Sequence, residues 1–135
     1  MSQQFSLPVR VYWADTDAGG VVYHSNYLDY CERARTEWLR ELGFSQQHLA
    51  QLERVMFTVV HLAIDFRRPA RLDDLLEVRS QAQLTGGATV EFTQQVWRAT
   101  PAPELLASAQ VRVACVDATS FKPRRLPDSL REEFR

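Results

Sequence analysis

The sequence predicts an α+β domain in which an antiparallel sheet of about five strands packs on one long helix. Apolar residues recur with helical spacing in only one long segment, residues 24–42. Because the strand-like segments follow one another without helices between them, the strands are expected to run antiparallel. Apolar and polar residues alternate, as in half-buried strands, over residues 5–13, 56–66, 75–84, 88–98 and 105–117.

The long helix is predicted from Tyr27, which is followed by apolar residues 4, 7 and 11 positions later. Gly43 is typical of the left-handed residue that ends a helix. Ser45 is a candidate cap for a short second helix over residues 46–52, and one helical turn is expected near residues 128–134.

Alternation gives each strand one apolar face, which is expected to be buried. A helix of about 18 residues is about 27 Å long and can cover one face of this sheet. The other face and the sheet edges favour a homo-oligomer. In the first two strands, the shared apolar faces are expected to consist of Phe5, Leu7, Val9, Val11 and Trp13, and of Met56, Val60, Leu62, Ile64 and Phe66.

Composition excludes several classes of protein. The 135 residues suit a single domain over residues 1–135. Lysine and arginine number 16 and aspartate and glutamate 17, so no basic excess attracts nucleic acid. No apolar run approaches the roughly 18 residues of a membrane span, and the first residues carry no secretion signal. Cys31 and Cys115 form no C-x-x-C pair, which predicts reduced thiols in a cytoplasmic protein.

The connection between the first strand and the long helix carries the chemical signal. It contains two carboxylates, Asp15 and Asp17, and two adjacent glycines, Gly19 and Gly20. The helix begins near His24, where unpaired N–H groups and the positive end of the helix dipole could polarise a carbonyl. A carboxylate beside them could attack the carbonyl or activate water. Alternatively, one aspartate only caps a turn that the glycines shape.

The stretch Val9–Leu28 (VRVYWADTDAGGVVYHSNYL) resembles the signature of hotdog-fold acyl-CoA thioesterases. It is most similar to the branch encoded beside the bacterial Tol–Pal envelope genes, the YbgC type. Further matches cover Glu32–Glu37, Phe44–Gln47, Pro69–Asp74 and Cys115–Asp117, so the resemblance extends over nearly the whole chain.

The resemblance implies a sheet wrapped around the long helix, dimers through sheet edges that often pair into tetramers, and hydrolysis of acyl-CoA to a free acid and CoA without a cofactor or metal. Asp17 would be nucleophile or general base, and Asp15 would organise the loop. The N–H at His24 would polarise the thioester, and the His24 side chain would orient water or substrate. An acyl carrier protein is a further candidate partner. The residues expected to contact substrate are Gly20, Val22, Tyr23, Tyr27 and Thr89.

One segment departs from the family pattern. Some relatives hold the phosphates of CoA with basic residues at the hairpin near residues 85–89, but this sequence has no lysine or arginine there. Two clusters could replace them, namely Arg67, Arg68 and Arg71, or Lys122, Arg124 and Arg125.

Parts of the sequence also resemble the motifs of proteins with other functions. The Asp15–Asp17 run also resembles the first motif of haloacid-dehalogenase-type phosphatases, but these need a doubly wound parallel sheet with several crossover helices. A hard cation on Asp15, Asp17 and His24 is conceivable. His48 is expected to be exposed on the short helix, and His61 to be a hydrogen-bonded residue of the core.

Two alternatives keep the fold and change the activity. The chain could be a non-catalytic subunit that binds an acyl carrier or the Tol–Pal envelope complex, in which case Asp17→Asn would not change its role. It could also be a dehydratase acting on acyl thioesters, but such enzymes pair a histidine with a carboxylate in a motif that this sequence lacks.

Overall fold

The computed structural model describes residues 4–135, and it contains a five-stranded antiparallel sheet with the order β1-β3-β4-β5-β2. Residues 1–3, part of the segment interpreted as lacking a secretion signal, lie outside this range. The strands are β1 (Gln4–Arg10), β2 (Val55–Phe66), β3 (Leu75–Leu84), β4 (Thr89–Arg98) and β5 (Glu104–Asp117), and the helices are α1 (His24–Glu41), α2 (Gln46–His48) and α3 (Asp128–Phe134).

The ends of α1 and α2 follow the sequence signals. Gly43 adopts a left-handed φ of 96°, and the amide of Phe44 donates to the carbonyl oxygen of Leu39 at 2.8 Å. The Ser45 hydroxyl accepts the N–H of His48 at 3.0 Å, which confirms the predicted cap. After α2 the chain makes one π-helical turn over Leu49–Glu53. None of the helices within residues 4–135 combines the length and apolar character needed to cross a membrane.

The core lies between α1 and the inner face of the sheet. The Trp38 ring contacts the Phe92 ring edge to face, with centroids 6.0 Å apart, and it also contacts Phe134 of α3 at 5.4 Å. Buried aromatic pairs of this geometry add about 0.5–1.5 kcal/mol beyond the burial of their area. Alternation in β3 and β4 therefore has the predicted result, since every second side chain joins this core.

Polar residues also lie in this core, which alternation alone did not reveal. Gln94 is fully buried, and its side-chain nitrogen donates to the Ser80 hydroxyl at 2.9 Å and to the Cys31 carbonyl at 3.0 Å. The Arg35 guanidinium donates to the Gln94 side-chain oxygen at 2.9 Å. Burial lowers the pKa of Arg35. These bonds satisfy groups that would otherwise destabilise the core.

The first strand ends earlier than predicted, so Trp13 does not share the apolar face. The Asp15 carboxylate accepts the N–H of Tyr12 at 2.9 Å and turns the chain into a 3₁₀ turn over Trp13–Asp15. The strand-like alternation is lost there, and the Trp13 side chain is 82% exposed.

A bulge in β2 overturns the predicted face of that strand. Val59 lies opposite Val113 and His61 lies opposite Arg112, so Val60 is an extra residue. The insertion reverses the alternation, so Met56 does not share the face of Leu62, and Val60 has no partner on β5. His61 is exposed on this edge strand, so its prediction as a core residue was wrong, whereas the exposure predicted for His48 is confirmed.

Candidate active site

The loop between β1 and α1 folds back on itself. Thr16 forms an antiparallel bridge with Val22, and the amide of Asp17 donates to the carbonyl oxygen of Val21 at 2.9 Å. The reversal occurs at Gly20, whose φ of 78° is readily adopted only by glycine. The amide of Tyr23 then donates to the carbonyl oxygen of Asp15 at 2.9 Å, which brings the start of α1 against the loop.

Asp15 organises this loop, as expected from the sequence. Its side chain is only 8% exposed, and one carboxylate oxygen accepts the Tyr12 amide. The other oxygen accepts the side-chain amide of Asn26, in the first turn of α1, at 3.1 Å. The pKa of Tyr30 is raised by burial and, to a smaller extent, by the Asp15 carboxylate. The Asp15 carboxylate therefore holds the loop against the first turn of α1.

Asp17 is exposed in the single chain. Its Oδ1 accepts the amide of Gly19 at 2.8 Å, which closes a turn within the loop. This is the one hydrogen bond of its side chain within residues 4–135, so the carboxylate makes no hydrogen bond to the first turn of α1. Its other oxygen is open to solvent or to a ligand.

The start of α1 presents open donors. Tyr23 precedes the helix, and no side chain within the described residues caps it. The amide of Asn26 bonds back to the carbonyl oxygen of Tyr23 at 2.9 Å, but those of His24 and Ser25 have no acceptor in the described part of the chain. Such N–H groups at the positive end of a helix dipole suit an oxygen that carries or develops negative charge.

A cavity of about 250 Å³ adjoins these donors. Val22 and Tyr27 lie buried at its base, and the exposed His24 side chain forms part of its wall. The Tyr27 hydroxyl accepts the amide of Ala70 at 3.0 Å, and burial raises the pKa of Tyr27. The remaining lining comes from the end of β2 and the segment after it, at Phe66, Arg67, Arg68 and Pro69.

Three of the substrate-contact residues predicted from sequence stand apart from this lining. Tyr23 is exposed and its ring contacts the His24 ring at 4.3 Å between centroids, and Gly20 forms the turn of the loop. Thr89 begins β4 and shares a 2.8 Å hydrogen bond with Thr85, whereas Arg98 at the other end of the strand bonds to Pro69. Because a strand of this length spans roughly 30 Å, one chain does not bring Thr89 to the cavity.

A clamp formed by Arg98 was missed by the sequence analysis. Its guanidinium contacts the Asp74 carboxylate at 3.0 Å, the Pro69 carbonyl oxygen at 2.6 Å and the Glu104 carboxylate. These partners lie 24, 29 and 6 residues from it in sequence. No local spacing could have indicated the clamp, since the sheet topology creates it.

The geometry gives no support to a cation on Asp15, Asp17 and His24. Both Asp15 oxygens are occupied by donors. Within residues 4–135, no three histidine, cysteine, aspartate or glutamate side chains are placed to hold a metal ion.

Comparison with known proteins gives the class to which this fold and site belong. The family model described as the thioesterase superfamily matches residues 19–104. A crystal structure of a 1,4-dihydroxy-2-naphthoyl-CoA thioesterase from Synechocystis is 30% identical with a TM-score of 0.91, covering 98% of this chain and 96% of that one. The chain belongs to the thioesterase superfamily and has the hotdog fold, as the sequence predicted.

Two relatives with higher sequence identity narrow the type of thioesterase that this chain resembles. The chain is 49% identical to the acyl-CoA thioesterase YbgC of Haemophilus influenzae, over 96% of this chain and 93% of the relative. It is also 49% identical to the acyl-CoA thioester hydrolase YbgC of Escherichia coli, over 97% of this chain and 96% of the relative. These matches confirm the predicted resemblance to YbgC-type proteins and the predicted class of enzyme, a thioester hydrolase.

Proposed function

We propose that this protein hydrolyses acyl-CoA thioesters to a free acid and CoA, with Asp17 and the start of α1 as the reacting centre. The observation that carries the proposal is the cavity of about 250 Å³ beside the open N–H groups of His24 and Ser25. The acyl-CoA activity of the YbgC relatives supports the choice of substrate class.

The N–H groups at the start of α1 would donate hydrogen bonds to the thioester oxygen and stabilise the negative charge that grows on it. In a general-base reaction, Asp17 takes a proton from water while the water oxygen bonds to the carbonyl carbon. The C–S bond then breaks, and the proton held by Asp17 passes to the CoA sulfur, so that CoA leaves as the thiol. As a nucleophile, Asp17 would instead bond to the carbonyl carbon and expel CoA as the C–S bond breaks, and water would then hydrolyse the acyl-aspartyl anhydride to the free acid and the Asp17 carboxylate. The His24 side chain, on the cavity wall, would orient the water or the substrate.

The direct test replaces Asp17 and measures CoA release from a panel of acyl-CoA substrates with a thiol-reactive dye. Asp17→Asn should lower kcat by about 10²-fold or more, as expected for loss of a general base or nucleophile. Asp128→Asn removes the same charge from an exposed position at the start of α3 and should leave kcat unchanged. Binding of acyl-CoA without turnover by the unmodified protein would favour the non-catalytic alternative, and full activity of Asp17→Asn would remove Asp17 from the mechanism.

A single turnover in ¹⁸O water separates the two roles of Asp17. Label in the Asp17 carboxylate requires a covalent acyl-aspartyl intermediate, because a general base never bonds to the water oxygen. Peptide mass spectrometry of the protein after one turnover gives the readout. Label confined to the product acid from an enzyme that accumulates no acylated peptide supports the general-base route.

We also propose that the active form is a homo-oligomer joined through β2, either a dimer or a tetramer. This strand pairs only with β5 within residues 4–135, and it forms the edge of the sheet. Val59, Val60 and Phe66 are 47%, 54% and 50% exposed on it, an unusual set of apolar side chains for an edge strand open to water. A second copy would cover them and could supply Thr89 to the cavity of the first.

The oligomer is tested by light scattering after gel filtration. We expect a mass of two or four chains for the unmodified protein, and a smaller species together with lower activity for Val59→Glu, which places a charge on the edge. Arg40→Glu, at the exposed far end of α1, is the surface control and should change neither. An active monomer in the unmodified protein would contradict the proposal.

The remaining proposals concern the location of the protein in the cell and its partners. A cytoplasmic location is supported by Cys31 and Cys115, two buried thiols without a disulfide, as is usual in reducing compartments. A carrier protein would present the same thioester as CoA and is a candidate alternative donor of the acyl group. Competition between an acyl-CoA and the matching acyl carrier protein in one assay measures this preference directly. Co-purification with Tol–Pal components would favour the alternative in which the chain is a binding subunit of that envelope complex.

A further inference from the structure

The proposed substrate carries phosphate groups for which the hairpin between β3 and β4 offers no cation. Residues 85–88 are threonine, two glycines and alanine. A phosphate group bound at this hairpin would therefore have no cationic partner from residues 85–88. The two arginine-containing clusters in the sequence are the candidate sources of a cation, and they differ in the other contacts of their side chains.

Arg124 and Arg125, of the second cluster, contact other parts of the same chain. The Arg124 guanidinium donates to the carbonyl oxygens of Glu53 and Arg54 at 3.2 and 3.1 Å and pairs with Asp117 at 3.5 Å. Arg125 lies against Gly87, at the end of the sheet remote from the start of α1. Neither side chain reaches the cavity beside His24 in the same chain.

Arg67 and Arg68, in contrast, line that cavity together with His24. Arg68 pairs with the Glu104 carboxylate at 3.1 Å. Arg67 has no ion pair or side-chain hydrogen bond within residues 4–135, and its side chain is exposed. Only its backbone is fixed, through the amide that donates to the Leu106 carbonyl oxygen at 2.8 Å.

The cavity beside His24 thus has buried apolar groups at its base. At its exposed side it has the guanidinium of Arg67, which has no ion pair or hydrogen bond within the described residues. Val22 and Tyr27 are 4% and 3% exposed, which gives the base its apolar character. An unpaired guanidinium offers five donors in a planar fork that matches the oxygens of a phosphate group. The open end of the cavity is where the polar part of a thioester substrate would leave it.

We propose that Arg67 binds a phosphate group of CoA at the mouth of this cavity and so replaces the cation that the β3–β4 hairpin lacks. The proposal rests on the proposed acyl-CoA activity for its biological meaning. Its test, however, measures binding and does not require turnover.

The experiment compares Arg67→Gln with the unmodified protein by isothermal titration at low ionic strength, with CoA, 4′-phosphopantetheine and pantetheine as ligands. Loss of a charge-assisted contact should weaken CoA binding by about 10-fold. Pantetheine, which has no phosphate, should bind both proteins equally. A loss with 4′-phosphopantetheine identifies the phosphate nearest the pantetheine arm, which carrier proteins share, whereas a loss with CoA alone identifies a phosphate of the nucleotide. Either result supports the proposal.

The matched control is Arg40→Gln, which removes the same charge at the far end of α1 and should not change CoA affinity. Equal CoA affinity of Arg67→Gln and the unmodified protein would overturn the inference. So would an equal loss with pantetheine, or an equal loss in Arg40→Gln, because these results indicate a contact without phosphate or a net-charge effect. Absence of CoA binding by the unmodified protein would overturn it as well. Hydrolysis by the Asp17 variants is scored separately, so the proposed function can fail while the Arg67 contact stands.

Discussion

The backbone amide of Val22 donates a hydrogen bond to the carbonyl oxygen of Ala70, with nitrogen and oxygen 2.8 Å apart. The amide of the same alanine donates to the Tyr27 hydroxyl at 3.0 Å. Ala70 is fully buried, and it therefore holds the loop that carries Asp17 and the first turn of α1 in one arrangement. The segment around Ala70 is itself fixed by Arg98, through Pro69 and Asp74.

Replacement of Arg98 should consequently damage the site from a distance. Arg98→Met removes the contacts with Asp74, Glu104 and the Pro69 carbonyl oxygen, and it leaves the partly buried Asp74 carboxylate without its ion-pair partner. We expect the free energy of unfolding to fall by about 1–3 kcal/mol and kcat to fall with it. Thermal unfolding and hydrolysis of one acyl-CoA measure the two effects.

Arg79→Met is the control for this experiment, because Arg79 pairs with Glu77 at 2.6 Å and lies over the Trp97 ring on an exposed face. Exposed pairs contribute about 0–1 kcal/mol, so a small change in stability and none in kcat are expected. Wild-type stability and activity in Arg98→Met would show that the segment holds its place without the clamp.

The two aspartates of the loop should separate stability from activity. Asp15→Asn leaves only one oxygen to accept from both the Tyr12 amide and the Asn26 side chain, so it should lower the melting temperature. Asp17→Asn, at an exposed position, should leave the melting temperature within about one degree and lower kcat. Calorimetry and kinetics on both variants make the comparison. A large loss of stability in Asp17→Asn would mean that its bond to Gly19 is structural.

The elements that sequence predicted correctly are those whose signals are local. Alternation located β3 and β4, helical spacing located α1, and Gly43 marked the end of that helix. What sequence missed depends on pairing between distant strands. The extra residue at Val60 changes the face of β2 without changing its composition, and the Arg98 clamp exists only because strand order brings its partners together.

The candidate site also has parts that local sequence predicts and parts that depend on distant segments. The loop and the helix start follow each other in sequence, so their proximity was predictable from the spacing of Asp17 and His24. The cavity also requires the end of β2, more than 40 residues away in sequence. The sequence offered Arg67 only as one of six candidate residues for the CoA phosphates, and no spacing placed it beside His24. Thr89 was expected at the site, but its strand begins at the far end of the sheet in the same chain.

The two cysteines should react slowly with thiol reagents in the folded protein. Burial raises the pKa of Cys31 to about 11 and raises the pKa of Cys115. Near pH 8 the reactive thiolate is therefore scarce, and both sulfurs are also inaccessible. We expect negligible labelling by a disulfide dye over minutes, and two thiols per chain after unfolding in guanidinium. Fast labelling of the native protein would indicate local opening, and it would add background to the CoA-release assay.

Asp117 should give the folded state an acid-dependent stability. Its carboxylate accepts the amides of Ser120 and Thr119 at 2.8 and 2.9 Å, and Arg124 lies 3.5 Å away. These contacts, led by the Ser120 and Thr119 amides, lower the pKa of Asp117 in the folded protein. Because the carboxylate binds protons more weakly in the folded than in the unfolded chain, its contribution is fully present above the ordinary pKa of about 3.9. It is lost as the pH falls through the lowered pKa.

Asp117→Asn tests this directly, because asparagine keeps an oxygen that can accept the same amides but carries no titrating charge. The variant should be less stable than the unmodified protein at neutral pH, and the difference should shrink as the pH falls below about 4. Denaturant unfolding at a series of pH values measures the difference. Asp128→Asn, which changes an aspartate that is 92% exposed, should show no such convergence. A constant gap between Asp117→Asn and the unmodified protein across this range would mean that the charge of Asp117 does not stabilise the turn after β5.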